Sequence, residues 1–382
     1  MGTSRSASFI VIAGIAILGL GLLTKRRILP NGSALRPIVP KDDPARMRET
    51  AHPPSSPPQQ PAMQHDGSIE AYISSRAGRI GDRTVVIVTY ASYSYLDHLL
   101  NWLIFLHRLE IKNYAVLCLD EQLQVFLKRR GFSCYVDEQS IMSSAKETIQ
   151  ALWMRRMAHL IRFLSLNVDV VFSDVDAVWL QNPFTRRIPG AKYALFDVDA
   201  FDVSAGRGQF PVDVRDAWGA TLIMGAIYFK STHRVHTLLS AAMEAMKLMH
   251  DDQVGLNRAL VQMLGADPIP IFGKKLSQVS PNGEFAISRG GGLTVAFAPH
   301  NFLPRRCKDV VKAEWKRSVI IAHCHYNEGV PNRKATWKSG DRAAMRITLL
   351  KKYKIWLLAD EWREKSQQGS TTFDAWISAI SA

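Results

Sequence analysis

The segment VVFSDVDAVW, residues 170–179, decides how the chain folds and where its chemistry lies. It opens with an apolar, partly β-branched run, which is typical of a strand buried on both faces of a parallel sheet. Asp174 and Asp176 follow directly, and a single intervening residue in an extended chain turns both carboxylates to the same side. Adjacent carboxylates repel each other unless a cation lies between them. The segment therefore predicts an oxygen-ligated Mn²⁺ or Mg²⁺ at a strand end; two solvated loop aspartates are the alternative.

Apolar runs and amphipathic segments alternate before this motif. The runs at 85–90, 114–119 and 133–136 are typical of short buried strands, and the apolar periods at 95–109 and 145–166 are typical of helices. Alternation of this kind predicts an α/β fold with a Rossmann-like, mostly parallel sheet flanked by helices.

The ends of these strands are the expected binding positions. In parallel α/β sheets, ligands bind beyond the carboxyl ends of the strands. Thr89, Tyr90 and Ala91 end the first strand and Asp120 ends the second, so all four are binding candidates. The chain has neither a G-x-G-x-x-G nor a P-loop sequence, which argues against a nicotinamide-binding fold and a P-loop kinase.

The N-terminal part lacks the pattern of a folded domain. Residues 9–23, FIVIAGIAILGLGLL, are apolar and uncharged, which favours a signal-anchor transmembrane helix, although the run is shorter than the ~20 residues of a usual span. The proline-rich residues that follow predict an extended stem. The basic cluster at 25–27 opposes a lumenal main domain by the positive-inside rule. We divide the chain into a tail at 1–8, an anchor at 9–24, a stem at 25–81, a single domain at 82–345 and a helical extension at 346–382.

The charge balance of the chain indicates which classes of partner it can bind. Lys and Arg number 48 against 34 Asp and Glu, for a formal net charge of +14, which favours anionic partners. The basic clusters lack interleaved aromatic residues, so we expect no nucleic acid as a partner.

The four cysteines lack the spacing of a zinc site. One or two disulfides fit an oxidising lumen, with Cys118–Cys134 and Cys307–Cys324 closest in sequence, but the sequence leaves the connectivity open.

Several separated motifs carry a family resemblance when they are taken in order. They are TYA at 89–91, NWL at 101–103, LDE at 119–121, FSDVDAVWLQNP at 172–183, Asp252-Gln253 with Asn257, and HCHYNEG at 323–329 followed by Lys334. Together they resemble the nucleotide-diphospho-sugar transferases of glycosyltransferase family 77, which includes plant and algal cell-wall xylosyl- and arabinosyltransferases. The resemblance covers roughly residues 84–340. It implies a GT-A fold in the single domain, a UDP-sugar donor, a divalent cation and transfer with retention of configuration.

The resemblance also implies roles for single residues. His323 is expected as a third metal ligand beside Asp174 and Asp176, with His325 in reserve. The nucleotide and its diphosphate are expected to contact the following residues: Thr89, Tyr90, Ala91, Asp174, Gly329 and Lys334, with Arg333 as the alternative to Lys334. Asp252 is expected to contact the acceptor or the reacting sugar; a helix N-terminal carboxylate is the other interpretation. A second D-x-D, Asp197 and Asp199, is a candidate lining of the sugar site.

Three segments depart from the family pattern, and one of them is Cys324-His325, which stands at the second and third residues of the family's H-N-N element. Ile223-Met224-Gly225 stands where the family usually has N-x-G, and Arg155-Arg156 stands where a lysine is usual. These changes indicate a distant member, or one with altered specificity.

The sequence as a whole predicts a type II, single-pass Golgi membrane glycosyltransferase, with the endoplasmic reticulum as the other compartment and the catalytic domain in the lumen. It would move a sugar from a UDP-sugar to a glycan or glycoprotein. One alternative is a haloacid-dehalogenase-like phosphatase with Asp174 as nucleophile, although that motif normally lies on the first strand of its domain. Another is an inactive glycosyltransferase fold that only binds. The sugar, the acceptor and the oligomeric state stay open.

Overall fold

The protein is described here from a computed structural model. The described residues are 67–136, 149–188, 192–265, 286–290, 292–312, 317–324, 339–360, 362 and 372–381. The expected anchor, most of the stem, His325, Gly329, Arg333 and Lys334 lie outside them. All described residues belong to one compact unit. Among the helices of this part, none has the length and apolar character needed to cross a membrane.

A central eight-stranded sheet organises the described protein. Its strands are β1 (Gly78–Ile80), β2 (Arg83–Ala91), β3 (Tyr114–Cys118), β4 (Asp169–Ser173), β6 (Val203–Gly208), β7 (Thr221–Phe229), β8 (Ala286–Gly290) and β9 (Leu293–Ala298). A small second sheet pairs β5 (Ala177–Trp179) with β10 (Ile321–His323) in antiparallel register.

The strand order is β1-β2-β4-β7-β6-β9-β8, and β3 also pairs with β2. β2 runs parallel to β3 and β4, and β6 runs parallel to β9. β7 lies antiparallel between β4 and β6, while β1 and β8 are antiparallel to β2 and β9. Five of the eight strands therefore share one direction, as the sequence predicted. The reversed strand β7 at the centre makes the sheet mixed, which the sequence did not predict.

Helices cover both faces of the sheet. In chain order they are α1 (Ile69–Arg76), α2 (Leu96–Arg108), α3 (Glu121–Lys128), α4 (Ile149–Leu164), α5 (Val212–Trp218), α6 (His233–Met249), α7 (Asp252–Leu264), α8 (Cys307–Val310), α9 (Ser339–Lys352) and α10 (Phe373–Ala379). Along β2, Val85 and Ile87 belong to the core beneath α2, and Val86 and Val88 belong to the core beneath α4 and α6. Both faces of β2 are thus buried, which is why its sequence is a continuous apolar run.

The folded domain begins earlier than residue 82, where we expected it to start. Ser68 caps α1 by accepting a hydrogen bond from the Ala71 N–H at 3.1 Å. Tyr72 is 2% exposed, and its hydroxyl donates to the Val116 carbonyl at 3.2 Å. The stem therefore ends before Ser68, because α1 and β1 pack on the sheet. The helix has few buried apolar residues, so it left little periodic signal in the sequence.

The C-terminal part packs on the domain and is not a separate extension from residue 346. Helix α9 already begins at Ser339. The Asn101 side chain of α2 accepts hydrogen bonds from the Leu357 N–H at 2.6 Å and the Leu358 N–H at 3.3 Å. Trp376 of α10 lies in the same core as α2. The NWL motif thus holds the C-terminal chain against the sheet.

One hydroxyl joins the strand before the aspartate motif to the strand after it. Ser173 Oγ accepts hydrogen bonds from the indole N–H of Trp102 at 3.2 Å and of Trp179 at 3.1 Å. All three residues are fully buried. Because Trp102 lies on α2 and Trp179 on β5, Ser173 ties both elements to the end of β4. The turn that carries the two aspartates is therefore fixed at its base.

We predict that Ser173→Ala destabilises the fold. It would leave two buried indole N–H groups without an acceptor, and each unsatisfied group costs about 1–3 kcal/mol. Denaturant unfolding measures the loss. Ser165→Ala is the control, because the Ser165 hydroxyl is exposed and bonds only to groups that water can satisfy, the Ile161 carbonyl at 3.0 Å and His236 Nε2 at 3.3 Å; it should stay within about 0.5 kcal/mol of the unchanged protein. Equal stabilities of the two variants would refute the role of Ser173.

Candidate active site

The aspartate motif forms a tight turn between β4 and β5. The Ala177 N–H donates to the Asp174 carbonyl at 3.0 Å, and the Asp174 N–H donates to the Gly225 carbonyl of β7 at 2.8 Å. In the small sheet, Ala177 stands opposite His323. The motif is thus fixed between β7 and β10, and the pairing of β5 with β10 places His323 beside it.

Asp174, Asp176 and His323 form a cluster of metal-ligand type. His323 Nε2 lies 3.5 Å from Asp174 Oδ2 and 3.3 Å from Asp176 Oδ1. One ligand atom from each residue lies within 4.8 Å of the others. Asp176 and His323 are buried, and Asp174 is partly exposed toward the cavity. Two carboxylates and one imidazole suit Mn²⁺ and related divalent ions, so the donor set fits the expected cation.

Gly225 provides the space in which the His323 ring lies. A Cβ atom at this position would come 1.9 Å from His323 Cε1 and 2.1 Å from Nδ1. No side chain larger than hydrogen fits there without moving the ring. The glycine of the altered Ile223-Met224-Gly225 segment is therefore a steric requirement of the metal cluster.

Arg156 of α4 connects the motif with Asp252. Its Nη1 lies 3.4 Å from Asp174 Oδ1, and its Nη2 pairs with Asp252 Oδ2. The guanidinium also stacks on the Phe172 ring, with Cζ 4.2 Å from the centroid. Burial lowers the pKa of Arg156, and the attraction of Asp174 opposes this shift. Arg156 thus holds Asp252 beside the cluster, where the sequence predicted a functional role for it.

Two neighbouring aspartates stand at the start of α7. Asp251 is the cap, and its Oδ1 accepts a hydrogen bond from the Val254 N–H at 2.9 Å. Asp252 is the first residue of the helix, so it is a helix N-terminal carboxylate, as the alternative interpretation expected. It is also 3% exposed, pairs with Arg156 and lines the cavity, so its position is compatible with both interpretations.

Arg346 of α9 is a site residue that sequence reasoning missed. Its Nη1 pairs with Asp176 Oδ2. Burial would raise the pKa of Asp176, but the charges of Arg346 and His323 outweigh it and hold this pKa well below its usual range. Burial raises the pKa of Asp174, although Arg156 partly offsets the effect. Arg346 lies among other basic residues on an amphipathic helix, where its charge gave no signal distinct from that of a solvated face.

A cavity of about 640 Å³ opens in front of the cluster. Tyr90 and Ala91 line it, as predicted, but Thr89 does not. Thr89 is fully buried within β2, because the strand reaches the cavity only with its last two residues. The cavity lining also includes an aromatic residue and the charged residues around the cluster: Trp153, Arg156, Asp174, Asp176, Asp251, Asp252, Arg305, His323 and Arg346.

The second D-x-D is not part of this cavity. Asp197 accepts hydrogen bonds from the Ala194 N–H at 3.4 Å and the Ala200 N–H at 3.1 Å, so it stabilises its own turn. Asp199 is exposed. Neither lines the cavity, so the structure does not bring the second D-x-D together with the metal cluster.

Both cysteine pairs closest in sequence form disulfides. Cys118 is bonded to Cys134, and Cys307 is bonded to Cys324. The second bond follows His323 directly and joins β10 to α8. It therefore fixes the strand that carries the histidine of the cluster.

We predict that the cost of Gly225→Ala depends on His323. In the unchanged protein the new methyl group would collide with the ring, and overpacking of this kind typically costs about 1–3 kcal/mol. In a His323→Ala background the collision partner is gone, so the cost should largely disappear. A double-mutant cycle of unfolding free energies measures the difference. The same cost in both backgrounds would contradict the steric role of Gly225.

We also predict that Mn²⁺ raises the melting temperature and that Asp176→Asn abolishes this shift. A ligand that binds only the folded state stabilises it by about 2.7 kcal/mol at a hundredfold excess over its Kd. Asp199→Asn is the matched control, because Asp199 belongs to the D-x-D outside the cavity, and it should keep the full shift. An unchanged Mn²⁺ shift in Asp176→Asn would rule out the cluster as the metal site.

The chain was compared with known proteins. Residues 109–334 match the family described as nucleotide-diphospho-sugar transferase. A UDP-D-xylose:L-fucose alpha-1,3-D-xylosyltransferase of Arabidopsis thaliana is 25% identical over 205 residues, which is 49% of this chain and 56% of that protein. The arabinosyltransferase XEG113 of the same plant is 27% identical over 199 residues, which is 47% of this chain and 29% of that protein. The match thus spans about half the length of the xylosyltransferase and less of XEG113.

Among solved structures, the galactosyltransferase LgtC in complex with donor and acceptor sugar analogs is 14% identical, with 73% of this chain and 99% of that chain covered. Its TM-score of 0.38 is too low to support a conclusion. The family match covers more than half of the chain, including the aspartate motif, Asp252 and His323. The chain therefore belongs to the nucleotide-diphospho-sugar transferase family.

Proposed function

We propose that the protein is a metal-dependent glycosyltransferase that moves a sugar from a UDP-sugar to a glycan or glycoprotein acceptor. The observation that carries this proposal is the cluster of Asp174, Asp176 and His323 at the wall of a 640 Å³ cavity. Family membership supports a nucleotide-diphospho-sugar as the donor. The named relatives include enzymes that use UDP-D-xylose.

The charges of the site suit a leaving diphosphate. When the bond between the sugar and its diphosphate breaks, negative charge develops on the phosphate oxygens. A divalent ion held by Asp174, Asp176 and His323 would neutralise that charge where it appears. These residues would hold the ion at a fixed place, because the turn, the small sheet and Gly225 determine the position of each side chain.

Asp252 is placed to orient the reacting groups. Arg156 holds its carboxylate beside the aspartate motif, and both residues line the cavity. A carboxylate in this position accepts hydrogen bonds from sugar hydroxyl groups. Tyr90 and Trp153 supply aromatic walls nearby, and such rings pack well against the apolar faces of sugars. The proposal includes retention of configuration, as the family resemblance implies, and the linkage of the product tests it by NMR.

We further propose a lumenal catalytic domain, anchored in the Golgi membrane by residues 9–24, with the endoplasmic reticulum as the other compartment. The two disulfides support this orientation, because structural disulfides are rare in the cytosol. They favour the lumen over the cytosolic placement suggested by the basic cluster at 25–27.

The phosphatase alternative is disfavoured by strand order. In that class the aspartate motif follows the first strand of the domain, whereas β1, β2 and β3 precede β4, the strand that ends just before Asp174. It also gives no role to His323, which lies within 3.5 Å of both aspartates. We therefore do not propose phosphatase activity.

A donor screen tests the proposal. The full chain is incubated with a panel of UDP- and GDP-sugars, including UDP-xylose, in the presence of Mn²⁺ or of a chelator. We expect Mn²⁺-dependent release of UDP from one donor, and a loss of at least ~100-fold in Asp176→Asn, since removal of one electrostatic contact in an active site commonly costs that much. Asp199→Asn should retain full activity.

Two other outcomes would contradict the proposal in different ways. Metal-dependent binding of UDP without release of UDP from any donor would indicate an inactive binding protein. No nucleotide-sugar binding, together with turnover of a phosphate ester that depends on Asp174, would indicate the phosphatase.

A further inference from the structure

Arg305 differs from the two other arginines that line the cavity. Arg156 and Arg346 each pair with aspartates of the site. Arg305 lies in the segment between β9 and α8 and also lines the cavity. Within the part of the chain that the structure describes, its guanidinium takes part in no hydrogen bond and no ion pair. It is a positive charge with no directly paired carboxylate, although Asp174 and Asp176 attract it at longer range, in a site that we propose binds a diphosphate.

This charge is unfavourable for the folded protein in the absence of a ligand. Burial lowers the pKa of Arg305, and the attraction of Asp174 and Asp176 does not cancel the effect. The folded state therefore disfavours the charged guanidinium relative to the unfolded chain. A buried charge without a partner is normally destabilising. Functional sites commonly contain residues that are unfavourable for stability.

The backbone fixes Arg305 relative to the metal cluster. The His323 N–H donates to the carbonyl of Pro304, the residue before Arg305, at 3.1 Å. Two residues after Arg305, Cys307 is bonded to Cys324, the residue after His323. The segment is thus tied to β10 on both sides of Arg305. The backbone at Arg305 is therefore held beside the strand that carries His323.

Arg306 shows what an ordinary surface arginine does in the same segment. It is exposed, and its Nε lies 2.7 Å from Asp309 Oδ2. Arg305 and Arg306 thus carry the same charge, but Arg306 is exposed and paired with a carboxylate, whereas Arg305 is partly buried and is not. The local sequence is basic, but only Arg305 faces the cavity.

We propose that Arg305 binds the diphosphate of the nucleotide donor and of the nucleotide product. A guanidinium offers a planar pair of N–H donors that matches phosphate oxygens, and such charge-assisted hydrogen bonds are strong. The segment of Arg305 is tied to β10, and β10 carries His323. A diphosphate bound at the cation would therefore also lie near Arg305. This inference rests on the proposed function, since it assigns the residue that recognises the donor's phosphates.

Calorimetry of the full chain in Mn²⁺ tests the inference, with UDP and uridine as probes. We expect Arg305→Gln to weaken UDP binding about tenfold to a hundredfold, the usual range for a lost hydrogen bond to a charged group. Uridine binding should stay unchanged, because uridine has no phosphate. Arg306→Gln is the matched control and should change neither affinity. UDP affinity equal in Arg305→Gln and Arg306→Gln would overturn the inference.

Melting temperatures without nucleotide separate recognition from a structural role. We expect Arg305→Gln to melt at the same temperature as the unchanged protein or higher, because it removes an unpaired, partly buried charge. Arg305→Met, of similar length, is the second variant and should behave alike. Unfolding of both variants would overturn the inference and assign Arg305 a structural role. If the unchanged protein itself binds no UDP, the proposed function fails and this inference fails with it; that result is distinct from a failure confined to Arg305.

Discussion

The repulsion between two carboxylates at the end of a buried strand is the constraint on which the rest of the site depends. Asp174 and Asp176 lie side by side, with Asp176 buried and Asp174 partly exposed, so each needs positive charge nearby. Arg156 and Arg346 supply it from α4 and α9, and β10 brings the His323 ring to within hydrogen-bonding range of Asp176. Elements far apart in the chain therefore converge on one turn. The packing of the C-terminal helices on the sheet serves the same electrostatic need, because it delivers Arg346.

The cations around the motif also connect the two ends of the cavity. Arg156 contacts both Asp174 and Asp252, so the metal cluster and the carboxylate at the start of α7 share one guanidinium. A displacement of Asp174 or Asp252 would therefore change how the Arg156 guanidinium pairs with the other aspartate. Arg305 is attracted by Asp174 and Asp176 but makes no direct ion pair with them, so its N–H donors can bind a ligand. Among the described residues, the site thus combines aspartates that are paired with arginines and an arginine that is paired with none of them.

Local patterns predicted part of this arrangement and missed what depends on long-range geometry. β2, β4 and the aspartate turn were predictable because their signals lie within a few neighbouring residues. His323 was placed by its motif. Arg346 was missed because an arginine on an amphipathic helix looks the same whether it faces solvent or a site. Thr89, which we expected among the nucleotide contacts, is buried one residue short of the cavity lining, since the register of the sheet decides which residue of a strand end emerges at its edge.

The space left at Gly225 links two positions that are almost a hundred residues apart in the chain. The imidazole of His323 occupies the volume that any other side chain at 225 would need. A lineage that lost His323 could replace Gly225 with a larger residue. A lineage that keeps His323 could not replace Gly225 without displacing the imidazole ring. The order in which substitutions can accumulate during divergence is therefore restricted, and the two positions should be inherited as a pair.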